Sequence, residues 1–217
     1  MKKCFKIALM IGLLLCFTCC LTGCGGADYD QNDIAAIHQL IDEHGWDIPK
    51  DDVKAWDFVT AWSNDNPRRV ESIALAKEQP VKGTLDVSAF TGLKFLWCVD
   101  NTMEEVILPE SLKEIAFSAL EGCANLKEVI FPNAPLKVQP RAFADCSSLK
   151  RAVVPDTVML VPNDAVWNWD MDEDRPLERA LNYDIFENCP EVVICGVPGS
   201  GAEEYARMAK LPFEAIG

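Results

Sequence analysis

The sequence predicts an α/β repeat solenoid with a helical cap before it and a helix-strand cap after it. Three observations carry the prediction. Apolar residues, cysteines and prolines recur with a 23-residue period. Each period contains a short β-branched run that ends at a proline. The flanking segments carry apolar residues at helical rather than strand spacing.

The chain begins with a basic start, Met1-Lys2-Lys3, followed by an apolar stretch from Ile7 to Leu21. That stretch is shorter than the ~20 residues a spanning helix needs and suits the core of a signal peptide. Leu21-Thr22-Gly23-Cys24 closes it. The tetrapeptide resembles the bacterial lipobox: an aliphatic residue, a small residue, Gly or Ala, then Cys. The resemblance implies cleavage before Cys24 and a diacylglyceryl group on its thiol. Residues 1–23 are then a lipoprotein signal peptide and residues 24–29 a lipidated tether. Two or three acyl chains hold a protein durably on a membrane, where one gives marginal binding. The expected location is the extracytoplasmic face of a cell membrane, with the membrane as a partner through Cys24. The alternative is an ordinary cleaved signal or an uncleaved anchor.

This segmentation changes two numbers. The whole chain has 34 acidic and 20 basic residues, a formal charge of −14, and loss of Lys2, Lys3 and Lys6 takes it to −17. Such a chain is a poor partner for nucleic acid or for anionic lipid. Of the ten cysteines, Cys4, Cys16, Cys19 and Cys20 leave with the signal and Cys24 is the lipidation site. Cys98, Cys123, Cys146, Cys189 and Cys195 remain, an odd number without a CxxC pair, so no disulfide framework is evident.

Residues 30–69 form the expected helical amino-terminal cap. Ile34, Ile37, Leu40 and Ile41 fall on one helix face, Asn32 or Asp33 is placed to cap the start, and Gly45 ends it. Asp51 to Val59 gives a second short helix or turn, and Arg69 to Leu75 alternates like a first strand. Trp46, Trp56 and Trp62 read as cap core. His38 and His44 do not share a helix face, lack the spacing of a zinc site and read as surface residues.

The repeat occupies residues 70–217. Cys123-Ala-Asn-Leu126-Lys-Glu-Val129-Ile130-Phe131-Pro132 aligns with Cys146-Ser-Ser-Leu149-Lys-Arg-Ala152-Val153-Val154-Pro155, and Asp100 to Pro109 lies one period earlier. Ile115, Val138 and Val161 keep the same interval, as do Leu120, Phe143 and Val166. A last unit, Ile185-Phe186-Glu-Asn-Cys189-Pro-Glu-Val192, returns after an insertion at about 164–183. Leu126, Val129 and Phe131 should point inward, and the proline stops each strand. One coil cannot bury its apolar edge alone, so coils stack into a continuous core. Cys123, Cys146 and Cys189 then stack inside. Free thiols suit that arrangement, with a disulfide between Cys123 and Cys146 as the alternative.

These units resemble the BspA-like class of bacterial leucine-rich repeats, whose pattern runs roughly A-F-x-x-C-x-x-L-x-x-[IV]-x-[IV]-P. Ala142-Phe143-Ala-Asp-Cys146 through Pro155 carries the match, and Gly83 to Leu96 resembles a related leucine-rich unit with Asn101 near its asparagine position. The resemblance implies a short leucine-rich repeat solenoid on a bacterial surface. At the far end, residues 196–217 resemble a closing cap. Ser200 and Glu203 form a capping box opening a helix to about Lys210, and Leu211-Pro212-Phe213 begins a short strand.

No catalytic constellation is present, so the chain reads as a non-enzyme without cofactor or metal. A hydrolase built on Asp170, Asp172 and Asp174 is the remote alternative, and a structural module of an envelope complex the nearer one. Two features point to binding of a protein or a glycan. Ile107, Ile130 and Val153 occupy outward strand positions and should form an apolar stripe beside Glu105, Glu128 and Arg151. Trp167 and Trp169 lie in the insertion, where repeat proteins often place contacts.

Overall fold

The structure, a computed structural model, describes residues 28–77, 79–161 and 184–216. Thr84–Asp86 (β3), Glu105–Ile107 (β5), Glu128–Ile130 (β7), Arg151–Val154 (β9), Val193–Gly196 (β11) and Phe213–Ala215 (β12) form a six-stranded sheet in the order β12-β11-β9-β7-β5-β3. Every pairing in it is parallel. Behind it, Glu114–Ile115 (β6), Leu136–Val138 (β8) and Val158–Leu160 (β10) form a second parallel sheet. The period becomes register: Val106, Val129 and Ala152 sit side by side, one per coil. All three are buried, and so are Leu126 and Phe131, as the pattern predicts. Phe143 lies edge-on to Phe131 and stacks on Phe186, with centroids 5.7 and 5.6 Å apart.

Each coil turns through a left-handed residue just before its cysteine. Gly122, Asp145 and Asn188 have φ of +76°, +60° and +58°. Asp, Asn and Gly are the residues that adopt this region most readily. Gly122 is doubly required, because a Cβ there would lie 2.2 Å from Asp100 Oδ1. The turn aims each thiol at the preceding coil. Cys123 Sγ donates to Cys98 O at 2.9 Å, Cys146 Sγ to Leu120 O at 3.3 Å and Cys189 Sγ to Phe143 O at 3.1 Å. All five cysteines in the described residues are free and buried. The chain re-enters register after the insertion: Arg141, Phe143 and Asp145 donate to the carbonyls of Asp184, Ile185 and Glu187. Val166 lies outside the described residues, and Phe186 is the residue stacked on Phe143.

The second sheet slips by one residue. Val138 pairs with Leu160, not Val161, because the step from β8 to β10 is 22 residues. Val161 follows the strand and donates its N–H to Val138 O.

The amino-terminal cap is built from helix Gln31–His44 (α1), a single 3-10 turn at Val53–Ala55 and a strand, Val59–Trp62 (β1). Ile34, Ile37, Leu40 and Ile41 are buried on one face, and Gly45 ends the helix at φ +69°. Three expectations change here. The helix is capped by Asp30, whose carboxylate accepts from Asn32 and Asp33 N–H. Asp33 instead points inward. The segment read as helical also contains β1, which pairs antiparallel with Val70–Ala74 (β2), and β2 pairs parallel with Phe95–Trp97 (β4). Finally, His44 is not at the surface but 2% exposed, with Nδ1 accepting from Lys82 N–H at 3.3 Å. Trp46 and Trp56 are buried as cap core and Trp62 packs against it partly buried.

Helix Gly201–Ala209 (α2) and β12 close the other end. Ser200 is the N-cap residue but makes no side-chain capping bond. Glu203 instead reaches back to the Gly199 N–H at 2.6 Å, so only the glutamate half of the expected box is made, one residue early.

Candidate binding face

The six-stranded sheet has an inner and an outer surface because side chains alternate along each strand. The inner row, Leu85, Val106, Val129, Ala152 and Ile194, is buried. Two rows face outward. One runs Asp86, Ile107, Ile130, Val153, Cys195 and Glu214 across six neighbouring strands. The other runs Thr84, Glu105, Glu128, Arg151 and Val193. The structure therefore brings Ile107, Ile130 and Val153 together as expected from the repeat. Ile107 is 39% and Ile130 55% exposed, and Val153 is half-buried.

The charges on this face are unevenly paired. Glu105 accepts from the Thr84 hydroxyl at 3.0 Å. Glu128 lies 3.7 Å from Arg151, which also approaches Glu214 at 3.9 Å. The Arg151 guanidinium is held above its usual range first by the neighbouring Cys195 and then by Glu214 and Glu128. Cys195, between Val153 and Glu214 in the outward row, is buried. The period could not have identified Cys195, because the step from Val153 to Cys195 is 42 residues where that from Cys146 to Cys189 is 43, or Glu214, because β12 lies in the closing cap. Cys24, Trp167 and Trp169 lie outside the described residues.

Among the described residues, no group of three or more His, Cys, Asp or Glu is placed to hold a metal ion. No helix among them is long and apolar enough to cross a membrane.

The repeated thiol, leucine and proline positions, now set in register on stacked parallel strands, coincide with a known pattern. Residues 94–193 match the model of the BspA type leucine rich repeat region, in 6 copies. Over that stretch, just under half of the chain, the solenoid is similar to a BspA-type leucine-rich repeat. Among solved structures, the chain is similar to a leucine rich cell surface protein from Faecalibacterium prausnitzii A2-165. The identity is 17% and the TM-score 0.40, over 67% of this chain and 39% of that one. The chain thus spans about two fifths of that protein's length. No curated protein matches the chain. In the matched units the outward strand positions are Ile107, Ile130 and Val153, and their alignment defines the candidate binding face.

Proposed function

We propose that this is a lipid-anchored lipoprotein of the bacterial cell surface whose BspA-type solenoid binds a protein or a glycan, and that it is not an enzyme. The observation that carries the binding role is the aliphatic row of Ile107, Ile130 and Val153 on the outward face of three adjacent strands. Neighbouring exposed aliphatics on a rigid sheet form the kind of patch that marks interaction sites. The anchoring role rests on the lipobox-like Leu21-Thr22-Gly23-Cys24.

Two experiments test the reading. The full chain, an Ile107→Asn/Ile130→Asn variant and a Trp167→Ala/Trp169→Ala variant are screened on a glycan array and a panel of purified surface proteins. Ligands that bind the native chain and are lost from either variant support the role. Binding indifferent to both would remove these residues from it. Separately, Cys24→Ser should move the protein from the membrane to the soluble fraction; retention would mean an uncleaved anchor.

A further inference from the structure

We propose that the partner of this face is a basic, amphipathic protein segment, its aliphatic side chains on Ile107 and Ile130 and a Lys or Arg over Glu105 and Glu128. The inference rests on the binding role proposed above and names the chemistry of the partner.

The decisive feature is the pairing of like charges. Glu105 and Glu128 are directly opposite on adjacent strands and point to the same face. Neighbouring strands lie about 4.8 Å apart, so the two carboxylates share one small area. Directly opposed like charges destabilise a sheet. Glu128 finds a cation in Arg151 on its far side, at 3.7 Å, whereas Glu105 has a hydroxyl, Thr84 Oγ1. Asp86 adds a further carboxylate next to Ile107. Negative potential is therefore concentrated at the β3–β7 end, and Arg151 bounds it.

The aliphatic row lies beside this acidic one. Ile107 and Ile130 are two residues along from Glu105 and Glu128, a distance of about 7 Å. Ile130 is more than half exposed. The surface thus presents a pair of glutamates beside a pair of isoleucines. Its complement is a segment with basic and aliphatic side chains in adjacent rows. A cation seated over Glu105 and Glu128 relieves their mutual repulsion while the aliphatic side chains leave water. A polyanion meets repulsion here, and a neutral sugar leaves the glutamate pair uncompensated.

The test uses the full chain and three labelled synthetic peptides: one helical, with Lys at i, i+4 and Leu at i+1, i+5 so that both rows lie on one face, one with Glu in place of Lys, and one with Ser in place of Lys. Affinities are measured for the native chain and for three double variants. Glu105→Gln/Glu128→Gln removes the acidic pair, and Ile107→Asn/Ile130→Asn removes the apolar pair. Glu110→Gln/Asp156→Asn removes two charges from exposed positions outside the strands and controls for overall charge. The Lys peptide should bind the native chain and lose about tenfold with each of the first two variants, about 1.4 kcal/mol. The control should stay within about twofold, and affinity should fall with salt as exposed charges are screened. Equal loss in the control, or equal binding of the Glu peptide, would overturn the proposal. If the Ser peptide or an array glycan depends on the isoleucines but not on the glutamates, the basic partner is wrong and the binding face stands. If nothing bound by the native chain distinguishes the isoleucine variant, the binding face itself fails. Thermal unfolding of each variant at or above the native temperature shows that the exposed substitutions left the fold intact.

Discussion

The repeat coils and the amino-terminal cap bury polar groups in different ways. In a coil, translation does the work. The backbone N–H groups of one coil meet the carbonyls of the next, as when Lys127 donates to Glu104 O and Lys150 to Lys127 O. Each stacked thiol likewise finds a carbonyl in the coil before it. The cap has no copy of itself to pair with, so side chains substitute. Fully buried Asp33 accepts from the first N–H of β2, at Val70, at 2.7 Å. Buried His44, at the other end of α1, accepts from Lys82 N–H. These substitutes leave atoms over: Asp33 Oδ1, His44 Nε2 and Arg69 Nε are buried without a hydrogen-bond partner among the described residues. Periodic structure solves its polar accounting once, whereas a cap solves it residue by residue with groups that titrate.

The largest expected effect breaks the coil side of this comparison. Phe143→Ala removes the ring between Phe131 and Phe186 and should cost about 3–5 kcal/mol in denaturant unfolding. Next, Asp33→Ala leaves the Val70 N–H buried without its acceptor and should cost about 1–3 kcal/mol. Asp33→Asn retains a carbonyl oxygen there and should cost distinctly less. Fluorescence of Trp46 and Trp56 reads this pair within the cap; equal losses would mean that the charge, not the acceptor, matters. Cys146→Ala removes one thiol donor and a small buried volume and should cost about 1 kcal/mol, measured by the same unfolding curves.

Acid separates the two regions. Burial lowers the His44 pKa below its ordinary 6.5, with Lys82 adding to the shift and Glu43 opposing it. The unfolded chain therefore takes up this proton more readily, and cap stability falls as pH drops from 6.5 toward the depressed folded value. Burial raises the Asp33 pKa, opposed by the Val70 N–H and Arg69. Its stabilising contribution is therefore present in acid and lost as pH rises through that raised value, so Asp33 does not produce the acid loss. The cap tryptophans should respond before the coil β-signal in circular dichroism, and His44→Leu should abolish the early response. The smallest effect belongs to the exposed ladder of ion pairs. Lys127→Met removes the 2.5 Å pair with Glu104 and should shift stability by about 0.2–1 kcal/mol, seen as a small loss of salt dependence.

The same contrast explains what could be read from residues alone. Val129, Cys146, Phe143 and the prolines recur at a fixed interval, so inward positions, stacked thiols and the outward Ile107-Ile130-Val153 row were all legible. His44 was not, because its partner Lys82 is 38 residues away and no period links them. Asp33, like Asn32, looks from the residues like a cap because a short polar side chain at a helix start usually is one; its partner Val70 is 37 residues distant. Strand β1 was hidden in a tryptophan-rich segment whose antiparallel pairing is irregular. Leu160 rather than Val161 takes its place beside Val138 because one step is a residue short. Of the candidate site, the aliphatic row and its charged neighbours follow from the period, but Cys195 joins it one residue out of step with the cysteines and Glu214 through the closing strand β12.

The thiol contacts also say how such a molecule changes length. Cys146 and Cys189 are 43 residues apart, yet Cys189 Sγ still meets Phe143 O at 3.1 Å. Contact between coils, not the amount of chain joining them, sets the interval along the rod. Duplicating a unit such as residues 133–155 would thus add about 4.8 Å of rod and one more outward position. Copy number then becomes a ruler for reach and for valency, adjustable in whole steps without redesign of either end.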